Sequence, residues 1–314
     1  MTDMKRKDAF QPGLVLEPQT GILREKPARK LARRANGLDG ATWTRNSISI
    51  WSDIKKTQEE IKLGHPALFP IELVKRLIQC FTTEEDHVVL DPFVGVGSTA
   101  IAAQALGKVG IGIEISEEFS KLARSRPVQT LGKALGERII YTADASDLLE
   151  FVRPDSVDLA VTSPPYWDIL LQKRTADYKQ IRHYGDSPDD LGKIGRYDDF
   201  LFALQKVFMQ VFVALKPGKY CCVVVMDIRK KDRLYLFHAD LTNYLKQIGF
   251  ELDDIIIWDR RHEYNNVRPL GYPSKFRINK AHEYILIFRK PSENTSGMDN
   301  GSDSQRQDLE PHGG

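Results

Sequence analysis

The sequence predicts an α/β fold: a seven-stranded, mostly parallel sheet covered by helices on both faces, with an antiparallel last strand. Three observations carry this. Apolar runs alternate with helical patterns along most of the chain, which is the signature of crossover-connected parallel strands. Those runs are continuously apolar, as strands buried on both faces must be. The last two runs, around 254–259 and 283–289, have no clear helix between them, so they form a hairpin-like antiparallel pair.

The first strand lies around 87–91 and ends at Asp91. Gly95 and Gly97 then permit a tight turn into a helix from about Ser98 to Leu106. In open α/β sheets ligands bind beyond the carboxyl ends of strands, so this turn is a candidate site. It has no third glycine and no Gly-Lys-Ser/Thr, which argues against a pyrophosphate or a nucleoside triphosphate. The second strand, 108–115, ends near Glu114, where a carboxylate can accept ribose hydroxyls. The third, 138–143, ends at Asp144, placed to accept an exocyclic adenine amine, while Asp147 reads as a helix cap.

The fourth strand, 157–163, breaks at Ser163-Pro164-Pro165-Tyr166-Trp167. Two prolines preset φ and remove two donors, so the chain must leave the sheet there. What remains is a hydroxyl and carbonyl acceptors beside aromatic rings, suited to holding a flat, amine-bearing base. A long helix from about Tyr197 to Leu215 stops at Lys216-Pro217-Gly218. Strands around 219–228, 254–259 and 283–289 complete the sheet.

A chain of 314 residues accommodates one large domain with modest appendages. Cys80, Cys221 and Cys222 lie in apolar contexts without metal-ligand spacing and read as buried thiols of a reducing cytoplasm. No metal site, signal-peptide pattern or membrane-length apolar stretch is expected. The net charge is only +2, but it is unevenly spread. Residues 1–34 carry nine Lys/Arg against four Asp/Glu, and the polar stretch 291–314, expected to be disordered, carries one Arg against five acids. Basic clusters follow three strands: Lys173, Arg174, Lys179 and Arg182; Arg229, Lys230, Lys231 and Arg233; and Arg260, Arg261, Arg268, Lys275, Arg277 and Lys280, interleaved with aromatic rings. Their convergence on one sheet edge suggests phosphate contacts.

The ordered set DPFVGVGST, GIEI, DASD and TSPPYW resembles the S-adenosylmethionine-dependent amino-methyltransferases that modify N4 of cytosine or N6 of adenine in DNA. Gly64–Ile78 is similar to that family's remaining cofactor motif, and His282–Lys290 to the end of its catalytic domain. The resemblance spans roughly 45–290. It implies a Rossmann-like methyltransferase fold with S-adenosyl-L-methionine as cofactor. The implied cofactor residues are His65, Pro66, Phe69, Asp91, Pro92, Phe93, Gly95, Gly97, Ser98, Thr99, Glu114 and Asp144. Ser163, Pro164, Pro165 and Tyr166 are implied as catalytic, with Tyr166 stacking on a flipped base, while Trp167 either extends that surface or packs into the core.

A serine first in this tripeptide is typical of the family's cytosine-N4 enzymes, which makes N4 of cytosine in double-stranded DNA the expected target. N6 of adenine, and third a base amine in RNA, are the alternatives. The resemblance divides the chain into a basic extension at 1–45, a catalytic domain at 46–290 and a tail at 291–314. Target recognition is expected from insertions at about 168–196 and 259–280. A cognate restriction endonuclease is a possible partner, the cytoplasmic nucleoid is the expected location, and the oligomeric state is left open.

Overall fold

A computed structural model of the chain describes residues 35–63, 68–128, 135–168, 191–263 and 276–292. All seven expected strands are present: β2 (Val88–Asp91), β3 (Val109–Glu114), β4 (Arg138–Thr142), β5 (Val157–Thr162), β6 (Leu215–Val225), β9 (Glu251–Asp259) and β10 (His282–Arg289). An eighth, β1 (Ile50–Trp51), pairs in parallel with β9, so the sheet order is β1-β9-β10-β6-β5-β2-β3-β4. Two residues are too few to leave a periodic pattern, which is why the sequence predicts seven strands. β10 runs antiparallel to both β6 and β9, as the lack of a helical sequence pattern before it predicts. A separate hairpin, β7 (Ile228–Lys230) with β8 (Arg233–Tyr235), replaces the expected end of the fifth strand.

Every position of β5 is buried, as a central strand demands. One face of the sheet is covered by α7 (Tyr197–Ala214) and α8 (Phe237–Ile248). The apolar stripe Phe200, Leu204, Val207, Phe208 and Val211 repeats with helical period and faces the core. The other face packs on α3 (Ile71–Phe81) through Leu73, Leu77 and Ile78. Two shorter helices, α5 (Glu117–Ser125) and α6 (Leu148–Phe151), follow β3 and β4. Cys221 belongs to the first layer and Cys222 to the second, and all three thiols are buried and unbridged. Burial pushes the Cys80 thiol up to about 11, and those of Cys221 and Cys222 up as well, so none is poised as a thiolate.

Two boundaries differ from expectation. Lys216-Pro217-Gly218 does not end a helix by forming a loop; α7 stops at Ala214 and β6 begins at once, with Gly218 donating its N–H to the Lys290 carbonyl at 2.8 Å. Residues 35–45, counted above with the basic extension, belong to the same compact unit as the sheet. Asp39 caps α1 (Gly40–Asn46), and Asn36 Nδ2 donates to the Cys80 carbonyl at the end of α3. Residues 1–34 and 293–314 lie outside the described residues. Among the described residues no helix is long and apolar enough to cross a membrane, and no cluster of His, Cys, Asp and Glu could hold a metal.

The turn-bearing layer is tightly packed. A Cβ on Gly110 of β3 would lie 2.6 Å from both Cα and the carbonyl oxygen of Ala100 in α4 (Ser98–Ala105). Backbone cannot retreat as a flexible side chain can, so Gly110→Ala should destabilise the protein by about 1–3 kcal/mol. A lowered urea midpoint at constant slope would show this; an unchanged midpoint would contradict the packing.

Candidate active site

At the carboxyl ends of β2, β3, β4 and β5 lies a cleft of about 770 Å³, counting its open mouth. Its walls come from the segments that the sequence places there. Pro92, Phe93, Gly95 and Ser98 contribute from the β2–α4 turn, Glu114 from the end of β3, Asp144 from the end of β4, and Ser163 and Pro165 from the end of β5. Phe69, just before α3, closes one side. The Glu60 carboxylate in α2 (Gln58–Lys62) steadies that approach, accepting the Ile71 N–H at 2.7 Å and completing a capping box with Thr57.

Asp91, Gly97 and Thr99 do not line the cleft; they stand behind its wall. Asp91 is wholly buried and accepts three hydrogen bonds, from Thr162 Oγ1 (2.6 Å), Phe93 N (2.9 Å) and Thr99 Oγ1 (2.6 Å). Burial pushes its carboxyl up to about 6, and the three donors oppose that shift. Gly97 caps α4 at φ +91°, where a side chain would be strained and crowded against Ala123.

Glu114 is buried at the wall, with Oε2 accepting the Gly95 N–H (2.9 Å) and Oε1 that of Ser116 (2.8 Å). The backbone therefore fixes the carboxylate. Asp144, rather than Asp147, caps the short turn after β4, accepting the Ser146 N–H at 2.7 Å through Oδ1. Both acids after β4 have cap-forming chemistry, and strand geometry chooses the one at the strand tip. Ser98 Oγ is buried on the cleft with no hydrogen-bond partner among the described residues. A buried orphan hydroxyl is costly, and its position invites a polar ligand atom.

Ser163 is 9% exposed, and its Oγ lies 3.3 Å from the Tyr166 hydroxyl. That hydroxyl donates to Glu283 Oε2 of β10 at 3.0 Å. Glu283 is in turn paired through Oε1 with Arg260, which also holds Glu263. Burial, then the Glu283 charge, drive the Tyr166 phenol well above its ordinary range. Glu283 was not among the expected site residues. A lone acid inside the apolar run of a closing strand is the signal that could have found it.

Trp167 resolves in favour of packing. It is 3% exposed, donates Nε1–H to the Ile194 carbonyl (2.7 Å), and meets Tyr197 and Tyr235 at ring-centroid distances of 5.2 Å. Its ring cannot stack on a base from there. The Lys230 ammonium sits 3.6 Å over the indole and pairs with Asp168. Several expected phosphate contacts are likewise already engaged: Arg260 as above, Arg261 with Asp259, and Arg277 with Asp232. Arg229 is half-buried beside them. His65, Pro66, Lys173, Arg174, Arg268 and Lys275 lie outside the described residues, as does most of the two expected recognition insertions.

The family model for N6/N4-type DNA methylase matches residues 19–125 and 157–311, which includes the glycine turn, the SPPY break and β10. The chain belongs to the N6/N4 DNA methylase family. Among curated relatives, the type II methyltransferase M.MthZI of Methanothermobacter thermautotrophicus is 36% identical over 43% of this chain and 39% of its own length. The type II methyltransferase M2.DpnII of Streptococcus pneumoniae is 40% identical over 24% of this chain and 29% of its own. The chain thus spans well under two thirds of these relatives. TTHA0409 of Thermus thermophilus, described as a DNA modification methylase and solved with S-adenosyl-L-methionine, is 29% identical over 52% of this chain and 57% of that chain, with a TM-score of 0.34.

The burial of Asp91 and Trp167 has measurable consequences. Asp91 binds a proton more tightly folded than unfolded, so its contribution to stability is full below about pH 4 and falls as pH rises towards 6. Asp91→Asn should abolish that segment of the slope, worth about 3 kcal/mol; identical pH–stability curves would contradict the burial. Trp167→Ala should cost about 3–5 kcal/mol in denaturant unfolding, and a variant of native stability with weakened DNA affinity alone would place Trp167 on the surface instead.

Proposed function

We propose that this methylase transfers a methyl group from S-adenosyl-L-methionine to the exocyclic N4 of a cytosine flipped out of double-stranded DNA. The observation that carries the reading is the opposition of two chemistries across one cleft. Glu114 and Asp144 line it from the ends of β3 and β4, and Ser163 and Pro165 from the end of β5, on the other side of β2. The orphan Ser98 hydroxyl supports a polar ligand between them. When bound, the cofactor supplies an electrophilic sulfonium methyl.

The residues do the rest. Glu114, pinned by two backbone donors, receives ribose hydroxyls, and Asp144 receives an adenine amine through the oxygen that the cap leaves unused. Phe69 and Phe93 supply apolar walls. An exocyclic base amine is a poor nucleophile because its lone pair is delocalised into the ring. Hydrogen bonds from the amine to Ser163 Oγ and the Pro164 carbonyl favour a pyramidal nitrogen whose lone pair is directed at the methyl. Transfer would then be direct, without a covalent enzyme intermediate: the N–C bond forms as the S–C bond breaks, the thioether of the spent donor leaves, and the methylated amine gives one proton to water. The Tyr166 ring stacks on the flipped base. Adenine N6 fits the same acceptors, and the family name covers both amines; the serine at 163 favours cytosine. On this reading a cognate restriction endonuclease is the partner to seek, and the enzyme works on cytoplasmic DNA.

The test is methyl transfer from labelled S-adenosyl-L-methionine to mixed-sequence duplex DNA and, separately, to total RNA, followed by nucleoside mass spectrometry. N4-methylcytosine in DNA is the expected product; N6-methyladenine would correct the base, and label in RNA alone would overturn the substrate. Ser163→Ala should lower the rate by about 10²-fold while cofactor affinity holds, and unchanged turnover would remove Ser163 from the chemistry.

A further inference from the structure

The Ser163–Tyr166–Glu283–Arg260 series is a chain of hydrogen bonds with only one self-consistent direction. The Arg260 guanidinium has donors only, so Glu283 Oε1 accepts from it. The Glu283 carboxylate likewise accepts at Oε2, and Tyr166 must spend its one proton there. The Tyr166 oxygen can then only accept from Ser163 Oγ–H. That 3.3 Å link is long for a hydroxyl pair, as is common before a substrate tightens a site. With its proton turned back towards Tyr166, Ser163 presents lone pairs to the cleft.

Resting on the function proposed above, we propose that Glu283, braced by Arg260, is a positioning residue. Through the Tyr166 hydroxyl it fixes Ser163 as a hydrogen-bond acceptor towards the target amine. A serine hydroxyl left to itself can donate as readily as accept. A donor facing the amine would oppose the lone-pair geometry that attack requires. Glu283 is 4% exposed and sits on β10, an interior strand hydrogen-bonded to β6 and β9, so its carboxylate is held by the sheet. The raised phenol keeps Tyr166 protonated across the working pH range, so it remains able to donate. Tyr166 thereby has a second use besides its ring, one that phenylalanine cannot serve.

Glu283→Gln separates this from simple support. The amide must turn its oxygen to Arg260 and its NH₂ to Tyr166. Tyr166 then donates to Ser163, and Ser163 aims its own proton at the amine. Tyr166→Phe, in contrast, cuts the chain and leaves Ser163 free to turn either way. The 314-residue chain and its three variants are compared by kcat, KM for duplex DNA, affinity for S-adenosyl-L-methionine and Tm. Glu283→Gln should lower kcat by about 10²-fold and Tyr166→Phe by about tenfold, with KM and cofactor affinity little changed.

The double variant should behave like Tyr166→Phe alone, so that the second substitution restores part of what the first removed. Additive losses, or equal inactivity of Glu283→Gln in both backgrounds, would make Glu283 a structural support and overturn the proposal. If Glu283→Gln fails to fold, Tyr166→Phe decides alone: a tenfold fall in kcat at constant KM supports the chain, and an undiminished kcat refutes it. A wild-type protein that transfers no methyl group refutes the functional reading itself and removes this proposal with it.

Discussion

Asp91 is a carboxylate without access to water, and the carboxyl edge of the sheet depends on the three hydrogen bonds that make its burial tolerable. One donor comes from the end of β5, one from the turn after β2 and one from the first turn of α4. Removing any of the three would leave a buried acid short of a partner, which costs more than the bond contributes when made. The same contacts fix where the glycine turn leaves the sheet and where Ser163 follows Thr162. Gly95 then donates to Glu114, which carries the order across to β3. The cleft is therefore preorganised in part by Asp91, Thr99 and Thr162, which do not line it.

The opposite side of the cleft is organised by charge. Glu283, Arg260 and Glu263 form a partly sheltered cluster against the Trp258 ring, with the Arg260 guanidinium 4.9 Å from the ring centroid. Buried or half-buried ions persist only when paired in good geometry, and here the pairing hands an acceptor to Tyr166. The neighbouring cations Lys230, Arg261 and Arg277 are also matched to aspartates. A phosphate that binds Lys230, Arg261 or Arg277 must compete with the aspartate that each already holds. Binding there is thus a competition between ion pairs, steeply dependent on salt if phosphates win.

Much of this was legible in the residues. Continuous apolar runs located the strands, and Asp91, Glu114, Asp144 and Ser163 stand at strand ends because a strand's polar terminus is where an apolar run must stop. The lack of a helical sequence pattern before β10 foretold its antiparallel pairing. The rest depended on tertiary contacts. Trp167 adjoins the SPPY break in sequence, yet its indole turns inward because α7 and β8 offer Tyr197 and Tyr235 as a buried aromatic socket. The division between Asp144 and Asp147 rests on backbone angles at the strand tip, which composition does not encode. Glu283 is 117 residues from Tyr166 in the chain, and no local pattern joins them.

If one cleft brings a methyl donor held by Glu114 and Asp144 to an amine held by Ser163, a crystal of the protein soaked with S-adenosyl-L-methionine should show it. Ligand density is expected in this cleft, with ribose hydroxyls on Glu114, the adenine amine on Asp144 and the sulfonium methyl directed towards Ser163. Density elsewhere, or a folded protein that leaves the cleft empty at saturating ligand, would refute this arrangement.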